Sequence, residues 1–535
     1  MTLNPKENVP SASVGKVYLV GAGPGDPGLI TLRGIECLAL ADLILYDYLV
    51  NPDILDHARQ TCELICLGRH GTGRVLKQEE INQRLVADAQ SGKLVVRLKS
   101  GDPGVFARLA EETSFLDEHG VAWEVVPGIT AAMAAGSYAG VPTTHRDHAS
   151  AVAFVTGQEN SDKDETLDYG ALAEFPGTLV IYMAVTTAPR WVAALIESGK
   201  DPATPVAIVR RCSFTDQRTI RCLLSEVPER LTPYKKFPPP AIAIVGSVAG
   251  IEATKTWFEQ RRLFGTSVLI TRPHGQAVPF RNQLRELGAD VTVQTAIEIG
   301  PPDDWSAVDE AIRRLPDYDW LVFSSVNGVR FFMNRLLETG HDVRRLGDIK
   351  LAAIGERTTA SLAEYQLRAD LQPEEYRAEA LAESLAKDAS GRKFLLARAS
   401  RGREVLAEKL TSAGGEVEQI VVYNSRDVKQ VDAAILQRMK QGGFDWTTVT
   451  SSAIARSLVK HFGQALTQTK LVSISPITSA TLRELGCDVA AEATEYTATG
   501  VIDAIVASPG ASPGASPGAS PGASPGASPG ASPGG

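Results

Sequence analysis

Short apolar runs alternate with amphipathic segments along two stretches of the chain, which together cover most of its length. Nearly continuous apolar runs closed by Gly, Asp, Ser or Thr predict strands buried on both faces, and the segments between them predict helices. Both stretches are therefore predicted to have an α/β fold. The runs of the first stretch begin at Val17, Leu43, Leu94, Ala153, Leu179 and Ala241, and those of the second begin at Val268, Trp320, Leu351, Phe394, Trp446 and Leu471.

The second stretch repeats its own pattern. The run at Leu269, a predicted helix over residues 276–287 and Gly288-Ala-Asp-Val correspond to the run at Phe394, a helix over residues 403–413 and Gly414-Gly-Glu-Val. A repeated pattern of this kind indicates two similar α/β halves. We predict that the chain crosses between these halves near residues 372–378 and returns after Tyr423.

Hydroxyl-bearing and small residues follow the strands of the second stretch. They are N-cap signals, which place unpaired backbone N–H groups at the carboxyl ends of strands, where open α/β sheets bind ligands. With Arg272 and Arg398 beside them they suit the binding of a polyanion, although each hydroxyl also has an ordinary role as a helix cap. The helix starts are Ser324-Ser325, Gly355-Glu-Arg-Thr358, Ser451-Ser452 and Ser475-Pro476.

Composition narrows the range of partners. The 535 residues contain 54 Lys and Arg against 63 Asp and Glu, a formal charge of −9, which excludes the basic field that nonspecific nucleic-acid binding requires. No apolar stretch approaches the roughly 20 residues that span a bilayer, and the N-terminus is too polar for a secretory signal. Six cysteines are too few for a disulfide framework, and Cys62 and Cys66 lack a second pair of zinc ligands. We expect a cytoplasmic protein that binds no nucleic acid, membrane or metal.

The two ends of the chain differ from its body. Residues 507–535 are Ala-Ser-Pro-Gly repeated seven times with a final Gly. This composition buries no apolar surface, so we predict a disordered tail over these residues and a disordered segment over residues 1–15. The predicted domains are residues 16–262 and residues 265–506.

A glycine-rich turn, Gly21-Ala-Gly-Pro-Gly-Asp26, follows the first predicted strand. A dinucleotide-binding fingerprint needs a third glycine at position 26, and an acidic side chain there would repel a pyrophosphate from the helix N-terminus. A nicotinamide-dependent dehydrogenase is therefore only an alternative, and a tight turn without a ligand explains the segment equally well.

Further turns identify the first stretch as similar to a known family. They include Leu98-Lys-Ser-Gly-Asp-Pro103, Val126-Pro-Gly-Ile-Thr-Ala-Ala132 and Tyr138-Ala-Gly-Val-Pro-Thr-Thr-His-Arg146. In this order they resemble uroporphyrinogen-III C-methyltransferase across residues 16–262. The resemblance implies S-adenosylmethionine bound in a cleft between two α/β halves and a tetrapyrrole substrate, and it leaves open a homodimer formed through this domain.

The same resemblance implies roles for individual residues. Asp47 matches the family's proton acceptor, whereas without the resemblance an Asp after a strand is more often a helix cap. Asp102 would accept a hydrogen bond from the methionine ammonium, and Met183 would lie near the sulfonium. Arg108 and Glu111 match the substrate-binding pair. The implied cofactor contacts are Pro24, Ser100, Gly101, Asp102, Val105, Phe106, Thr130, Ala131, Met183, Cys212 and Ala241.

Three positions depart from the family pattern. Gly68-Arg69-His70 stands where the family has Gly-Lys-Arg, whose lysine is the proposed proton donor. A guanidinium is a poor acid, so we expect Arg69 to bind a carboxylate or stabilise charge. His70 is an alternative proton donor or a loop histidine without a role. Ser100-Gly-Asp-Pro-Gly104 lacks the family's aromatic residue near the cofactor, and Cys212 replaces a glycine.

The second stretch resembles uroporphyrinogen-III synthase. The resemblance rests on Leu-Ile-Thr-Arg272-Pro, Val-Phe-Ser-Ser325-Val-Asn-Gly, Ala-Ile-Gly355-Glu-Arg-Thr and Val-Val-Tyr423. It implies two α/β lobes joined by a two-stranded linker, and closure of linear hydroxymethylbilane with loss of water. Tyr423 is the candidate proton donor, with a hinge tyrosine as the alternative. The candidate substrate-binding residues are Arg272, Ser325, Thr358, Ser451, Ser452, Ser475 and Thr478.

Together the two resemblances imply a bifunctional enzyme of tetrapyrrole biosynthesis. The second half would cyclise hydroxymethylbilane to uroporphyrinogen III, and the first half would methylate this product twice to precorrin-2, toward sirohaem or cobalamin. The alternative is an active methyltransferase whose second half is a noncatalytic sensor or binding lobe.

Overall fold

The computed structural model describes residues 15–68, 76–159, 166–231, 237–251, 256–402 and 404–508. They form two compact units. The first comprises the described residues up to Thr266 together with Glu286–Asp290, and the second comprises Ser267–Arg285 and the described residues from Val291 onward. The predicted disordered ends lie outside the described residues except for Gly15, Ala507 and Ser508. Gly15 donates a backbone hydrogen bond to Ala89, Ala507 ends a helix and Ser508 caps it, so the predicted disorder was wrong at these three residues.

The first unit opens with a five-stranded parallel sheet in the order β3-β2-β4-β1-β5. Alternate residues of its first strand enter different cores, with Val17 and Leu19 on one face and Tyr18 and Val20 on the other. This burial explains the continuous apolar run. The elements are β1 (Lys16–Gly21), α1 (Leu32–Leu40), β2 (Leu43–Tyr46), β3 (Glu63–Cys66), α2 (Gln78–Gln90), β4 (Leu94–Lys99), α3 (Leu109–Glu118) and β5 (Ala122–Val126).

A second sheet of the first unit has the order β6-β7-β10-β8-β9. Its elements are α4 (Ala131–Tyr138), β6 (Val152–Thr156), α5 (Tyr169–Glu174), β7 (Thr178–Tyr182), α6 (Ala188–Glu197), β8 (Pro205–Arg210), β9 (Arg218–Leu223), α7 (Val227–Leu231) and β10 (Ala241–Val245). Strand β10 runs antiparallel to both β7 and β8. Its first residue, Ala241, therefore lies beside the carboxyl ends of those two strands.

Turns of the first sheet approach one another so closely that only glycine fits. A Cβ atom at Gly128 would lie 2.2 Å from the carbonyl oxygen of Gly101, and one at Gly21 would lie 2.6 Å from the Cα of Gly128. Gly23 and Gly101 also exchange two backbone hydrogen bonds, of 2.8 and 3.1 Å. The glycine turn after β1 thus serves to pack against the turns after β4 and β5.

Replacing Gly128 with alanine is expected to lower the free energy of unfolding by about 1–3 kcal/mol, because the new methyl group overlaps backbone atoms. Gly136→Ala is the matched control, since Gly136 lies in α4 and the nearest atom to its added Cβ is 3.6 Å away. Urea denaturation of both variants measures the difference. Equal stability of the two variants would contradict the close packing of the turns.

The second unit contains two five-stranded sheets, in the orders β12-β11-β18-β19-β20 and β13-β17-β16-β14-β15. The predicted N-caps are confirmed, because Ser325, Ser451 and Ser475 each accept a hydrogen bond from the N–H three residues later. The elements are β11 (Ser267–Ile270), α8 (His274–Glu286), β12 (Asp290–Val293), β13 (Ile297–Gly300), α9 (Ser306–Arg313), β14 (Trp320–Phe323), α10 (Val326–Glu338), β15 (Lys350–Ala353), α11 (Glu356–Ala363), α12 (Ala378–Ala386), β16 (Lys393–Ala399), α13 (Val405–Ser412), β17 (Glu416–Asp427), α14 (Ala433–Lys440), β18 (Trp446–Val449), α15 (Ser452–Phe462), β19 (Lys470–Ser473), α16 (Pro476–Glu484), β20 (Ala491–Glu492) and α17 (Ala498–Ala507).

The predicted crossing between the two lobes near residues 372–378 is wrong. That segment connects α11 to α12 within one lobe, where the preceding Leu371 bridges to Ala352 of β15. The chain instead crosses to the second lobe between β12 and β13, and it returns after β17. Strands β13 and β17 form the linker and pair antiparallel, with Ile297 opposite Asp427. Strand β13 was missed because only one of its four residues is buried, so it has no apolar run.

Every apolar run used for the prediction is a strand, and the α/β fold class is confirmed. The missed strands β3, β5 and β9 lie at sheet edges and have at most one buried residue each. Strand β8 has an apolar run that the prediction overlooked. Among the described residues, no helix has the length and apolarity to cross a membrane, and no cluster of three His, Cys, Asp or Glu side chains could hold a metal ion.

Candidate functional sites

A cavity of 570 Å³ lies between the two sheets of the first unit. The first sheet contributes the turns after β1, β2, β4 and β5, and the second contributes the turns after β7 and β8 and the start of β10. Carboxyl ends of parallel strands meet at one edge of a sheet, so side chains that are far apart in sequence converge here.

The structure brings all the predicted cofactor contacts together in this cavity. Asp47 and Arg108 lie in the same lining, and Glu111 pairs with Arg108 at 3.6 Å. Arg69 and His70 lie outside the described residues, so their predicted roles stay predictions. The converging predicted contacts are Pro24, Ser100, Gly101, Asp102, Val105, Phe106, Thr130, Ala131, Met183, Cys212 and Ala241.

Backbone strain concentrates around the cavity. Six non-glycine residues of the described chain have a positive φ, and four of them line this one cavity. They are Phe106, Arg108, Met183 and Arg211, with φ of 51°, 56°, 52° and 46°. Such conformations cost about 1–3 kcal/mol each and cluster at functional sites, where the surrounding structure holds them in place.

Asp102 fastens two of the lining turns to each other. Its Oδ1 accepts a hydrogen bond from the Gly104 N–H at 2.8 Å, and its Oδ2 accepts one from the Gly128 N–H at 2.9 Å. Each carboxylate oxygen keeps a second lone pair, so Asp102 can also accept a hydrogen bond from a bound ammonium group.

Two buried cationic side chains belong to the lining of the cavity. Arg97 and Lys99, two residues apart in β4, line it with exposures of 3% and 2%. Arg97 forms an ion pair with Asp47, with 2.6 Å between Nη2 and Oδ1. Lys99 forms a second ion pair with the fully buried Glu112, with 2.7 Å between Nζ and Oε2. Burial lowers the pKa of the Lys99 ammonium. Asp47 therefore pairs with a cation, and the helical turn that follows it is capped by Asn51.

Tyr182 of the second sheet orients the start of α4. Its hydroxyl lies 2.6 Å from Thr130 Oγ1 and accepts a hydrogen bond from the Ala132 N–H at 3.2 Å. Burial raises the pKa of Tyr182, so the phenol stays neutral. The ring also packs against Phe106, with ring centroids 5.1 Å apart, and so supports two predicted contact residues at once.

Cys212 offers little reactivity. It is buried, and burial raises the pKa of its thiol to about 12. A neutral buried thiol behaves as a small apolar side chain. Cys212 therefore shapes the cavity wall.

Asp26, the sixth residue of the glycine turn, already has hydrogen-bond partners within the protein. Asp26 accepts hydrogen bonds from the Gly28 N–H at 2.8 Å and from the Tyr138 hydroxyl at 2.9 Å. A carboxylate held at this helix start disfavours a pyrophosphate there. The geometry therefore favours the tight turn over the dehydrogenase alternative.

A second cavity, of 600 Å³, lies at the linker of the second unit. One lobe contributes Gln276 and Ser451, and the other contributes Asn327 and Arg401. The linker strands contribute Ile297, Ile299, Tyr423, Ser425 and Asp427. The predicted residues Tyr423 and Ser451 therefore share this cavity.

Tyr423 lies where β17 leaves its pairing with β16 at a register shift. Its hydroxyl is 3.1 Å from Ser325 Oγ, and its ring stacks on Phe331 at a centroid distance of 5.7 Å. Burial raises the pKa of Tyr423, so the phenol keeps its proton at neutral pH and has a proton to donate. This position suits both predicted roles, proton donor and hinge residue.

The other predicted hydroxyls are buried or have hydrogen-bond partners within the protein. Ser325 and Ser475 cap helices, Ser452 accepts a hydrogen bond from Thr481 Oγ1 at 2.9 Å, and Thr358 and Thr478 are buried. They do not belong to the lining that the described residues form around the second cavity. Carboxylate binding by these hydroxyls stays a prediction.

Arg272 is buried just before the cavity residue Pro273. Its guanidinium lies over the ring of Phe280 at 5.1 Å. Burial lowers the pKa of Arg272 to about 10, and the positive charge of Arg357 acts in the same direction. Binding of an anion nearby would stabilise the buried positive charge of Arg272.

Several lining residues were not predicted from the sequence. Arg97 and Lys99 had a signal, because two basic residues at a spacing of two in an apolar strand share one face of a sheet. Gln78, Arg211 and Tyr182 of the first cavity, and Asn327, Arg401 and Arg456 of the second, had no comparable signal.

Comparison with known families divides the chain into two parts. Residues 16–228 match the tetrapyrrole (corrin/porphyrin) methylases, and residues 279–503 match uroporphyrinogen-III synthase HemD.

Individual relatives cover both parts or one of them. The porphyrin biosynthesis protein HemD of Ruminiclostridium josui is 32% identical over 446 residues, 83% of this chain and 88% of that protein. Uroporphyrinogen-III C-methyltransferase of Bacillus subtilis strain 168 is 37% identical over 349 residues, 65% of this chain and 71% of that protein. A solved structure of uroporphyrin-III C-methyl transferase from Thermus thermophilus, complexed with S-adenyl homocysteine, is 40% identical, covers 44% of this chain and 100% of that one, and has a TM-score of 0.39. The chain therefore belongs to the tetrapyrrole methylases through its first part and to the HemD uroporphyrinogen-III synthases through its second, as a bifunctional enzyme of tetrapyrrole biosynthesis.

Proposed function

We propose that this enzyme cyclises hydroxymethylbilane to uroporphyrinogen III and then methylates that product twice to give precorrin-2, an intermediate toward sirohaem and cobalamin. The observation that carries the proposal is the convergence of every predicted cofactor contact, together with Asp47, on one cavity of the first unit. The proposed functional domains are residues 16–262 for methyl transfer and residues 265–506 for cyclisation. Because all six cysteines are unpaired, we place the reaction in the reducing cytoplasm.

The side chains that line the first cavity are chemically suited to bind S-adenosylmethionine. Asp102 offers an acceptor for the ammonium group, while Met183, Phe106 and Ala241 offer soft or apolar surface for the rest of the molecule. When bound, S-adenosylmethionine supplies a methyl group that leaves sulfur for a nucleophilic ring carbon. The strained turns hold the donor site in one shape, which favours such a displacement by fixing the geometry of approach.

Asp47 is the proposed base for the proton that the macrocycle loses after methylation. Its carboxylate lines the cavity, and Arg97 at 2.6 Å fixes the orientation of that carboxylate. Arg108 and Arg211 also line the cavity and are suited to the substrate's carboxylates.

Cyclisation is proposed to occur in the second cavity. The leaving hydroxyl of hydroxymethylbilane needs a proton, and the buried Tyr423 phenol can donate one. Ser325, at 3.1 Å, can orient this phenol, and Arg401 in the lining can attract a substrate carboxylate. Backbone N–H groups at the hydroxyl-capped helix starts would bind further carboxylates.

The decisive experiment supplies hydroxymethylbilane to the whole protein with and without S-adenosylmethionine. Type III macrocycle above the spontaneous type I background, without S-adenosylmethionine, supports the synthase. Its absence would leave the second half as a noncatalytic lobe. A doubly methylated product on addition of S-adenosylmethionine supports the methyltransferase, and binding of a nicotinamide cofactor instead would overturn it.

Asp102→Ala is expected to weaken S-adenosylmethionine binding by at least about tenfold, because it removes the ammonium acceptor and the carboxylate bonds to Gly104 and Gly128. Isothermal titration calorimetry measures the affinity. Asp147→Ala is the control, since Asp147 is an exposed carboxylate of the same unit outside the cavity lining. Unchanged affinity in the Asp102 variant would contradict the assigned donor site.

A further inference from the structure

Four charged side chains form a continuous chain of alternating sign beneath the first cavity. Asp47 Oδ1 contacts Arg97 Nη2 at 2.6 Å, Arg97 Nε contacts Glu112 Oε1 at 3.2 Å, and Lys99 Nζ contacts Glu112 Oε2 at 2.7 Å. Asp47 is the partly exposed member, at 32% of its side chain, and the other three are almost completely buried. Asp47, Arg97 and Lys99 line the cavity, whereas Glu112, which joins the two cations, lies behind the lining.

Glu112 is the centre of this group. It comes from α3, whereas both of its cationic partners come from β4, and Gln78 of α2 donates a further hydrogen bond to its Oε1 at 3.0 Å. Gln78 is itself held by Asn82 at 2.9 Å. Three elements thus fix one carboxylate that does not reach the cavity surface.

Stability alone is a weak reason for such a group. Desolvation of buried ions offsets most of their attraction, and well-packed apolar side chains of similar volume do as well or better. The position of the group suggests a different reason, because Arg97, Lys99 and Asp47 all line the cavity in which the methylation is proposed.

We propose that Glu112 and Lys99 are positioning residues that act on Asp47 through Arg97. Glu112 holds the guanidinium so that Arg97 presents one nitrogen to Asp47, and Lys99 neutralises Glu112. The four charges then sum to zero, so the group adds no net charge beside the Asp47 carboxylate that is proposed to accept the proton of the macrocycle. This inference rests on the proposed methyl transfer.

Other groups also face Asp47 or its cavity. Tyr48 is the next residue along the chain, and its phenol interacts with the Asp47 charge. Asp102, Arg108 and Arg211 line more of the same cavity. Arg69 and His70 lie outside the described residues. All of these stay constant in the variants below, so a change between variants reports the buried group.

The test compares three variants of the full-length protein, Glu112→Gln, Lys99→Met and the double variant. Glu112→Gln leaves the buried group with one net positive charge, Lys99→Met leaves one net negative charge, and the double variant restores zero. Added positive charge favours the ionised form of a neighbouring carboxylate, and added negative charge disfavours it. The acid limb of the pH profile of kcat/KM for methyl transfer should therefore move to lower pH in the first variant and to higher pH in the second, by about one pH unit each.

The double variant should return the acid limb to within about 0.3 pH unit of its original position, because the net charge is zero again. Opposite shifts that cancel support the proposal, since a merely structural role gives no sign reversal. Shifts in the same direction, or no shift in either single variant, overturn it. If Glu112→Gln does not fold, the shift in Lys99→Met and its reversal in the double variant decide the question.

Two controls separate this inference from the proposed function. Glu118→Gln removes an exposed carboxylate from the same helix and should leave the pH profile unchanged. Affinity for S-adenosylmethionine should stay within about threefold in all variants, because the predicted donor contacts are unaltered. Absence of methyl transfer in the unaltered protein overturns the proposed function and this inference with it, whereas an active protein with unshifted variants overturns the inference alone.

Discussion

Asp47→Asn is expected to reduce methyl transfer by about 10²–10³-fold, because an amide cannot take up the proton that the macrocycle loses. Arg97 keeps its bond to Glu112 in this variant, so the guanidinium is not left without a partner. The midpoint of thermal unfolding should therefore change by no more than about 4 °C. Single-turnover assays with uroporphyrinogen III and S-adenosylmethionine measure the loss.

The bifunctional chain supplies its own control for this variant. Cyclisation of hydroxymethylbilane by the second unit should be unchanged, which separates a loss of chemistry from a loss of folded protein. Asp147→Asn is a second control at an exposed carboxylate of the first unit. Methyl transfer within threefold of the unaltered protein in Asp47→Asn would show that another group accepts the proton.

Tyr423→Phe is expected to reduce enzymatic formation of the type III macrocycle by about 10²-fold, because the variant keeps the ring and loses the proton to be donated. The ring should still stack on Phe331, so the unit should keep its fold. Chromatographic separation of the type I and type III isomers measures the result, since spontaneous closure adds only to type I. Methyl transfer by the first unit should be unaffected.

Tyr365→Phe is the matched control for the second prediction. Tyr365 lies in the same unit, and its hydroxyl donates a hydrogen bond to Asn334 Oδ1 at 2.8 Å, outside the described lining of the cavity. A hinge role for Tyr423 predicts a different result, because phenylalanine fills the same space at the exit from the sheet. Full activity of Tyr423→Phe would therefore assign Tyr423 to the hinge and the proton to another donor.

Local patterns in the sequence predicted most of the framework. Strands such as β4 and β10 are buried on both faces, and such burial requires a nearly continuous run of apolar residues. Caps such as Ser451 depend on a hydrogen bond across three residues, so a local signal identifies them. The edge strands β3 and β9 and the linker strand β13 lack this signal, since few or none of their residues are buried.

The topology of the second unit could not be predicted in the same way. The repeated pattern indicated two halves, but the place where the chain crosses depends on which strands pair. Strand β13 pairs with β17, which lies more than a hundred residues later, and no local property of Ile297–Gly300 specifies that partner. The predicted crossing near residues 372–378 failed for this reason.

The sequence by itself determined the α/β class, the two stretches and the predicted cofactor contacts that converge on the first cavity, because strand burial, helix caps and family motifs are local patterns. Only the tertiary structure decided what those residues touch. It paired Asp47 with Arg97, placed Glu112 of α3 against Arg97, and made Asp102 bridge two turns through hydrogen bonds. Such contacts join elements that are far apart along the chain, so their distances and charges exist only once the sheets are assembled.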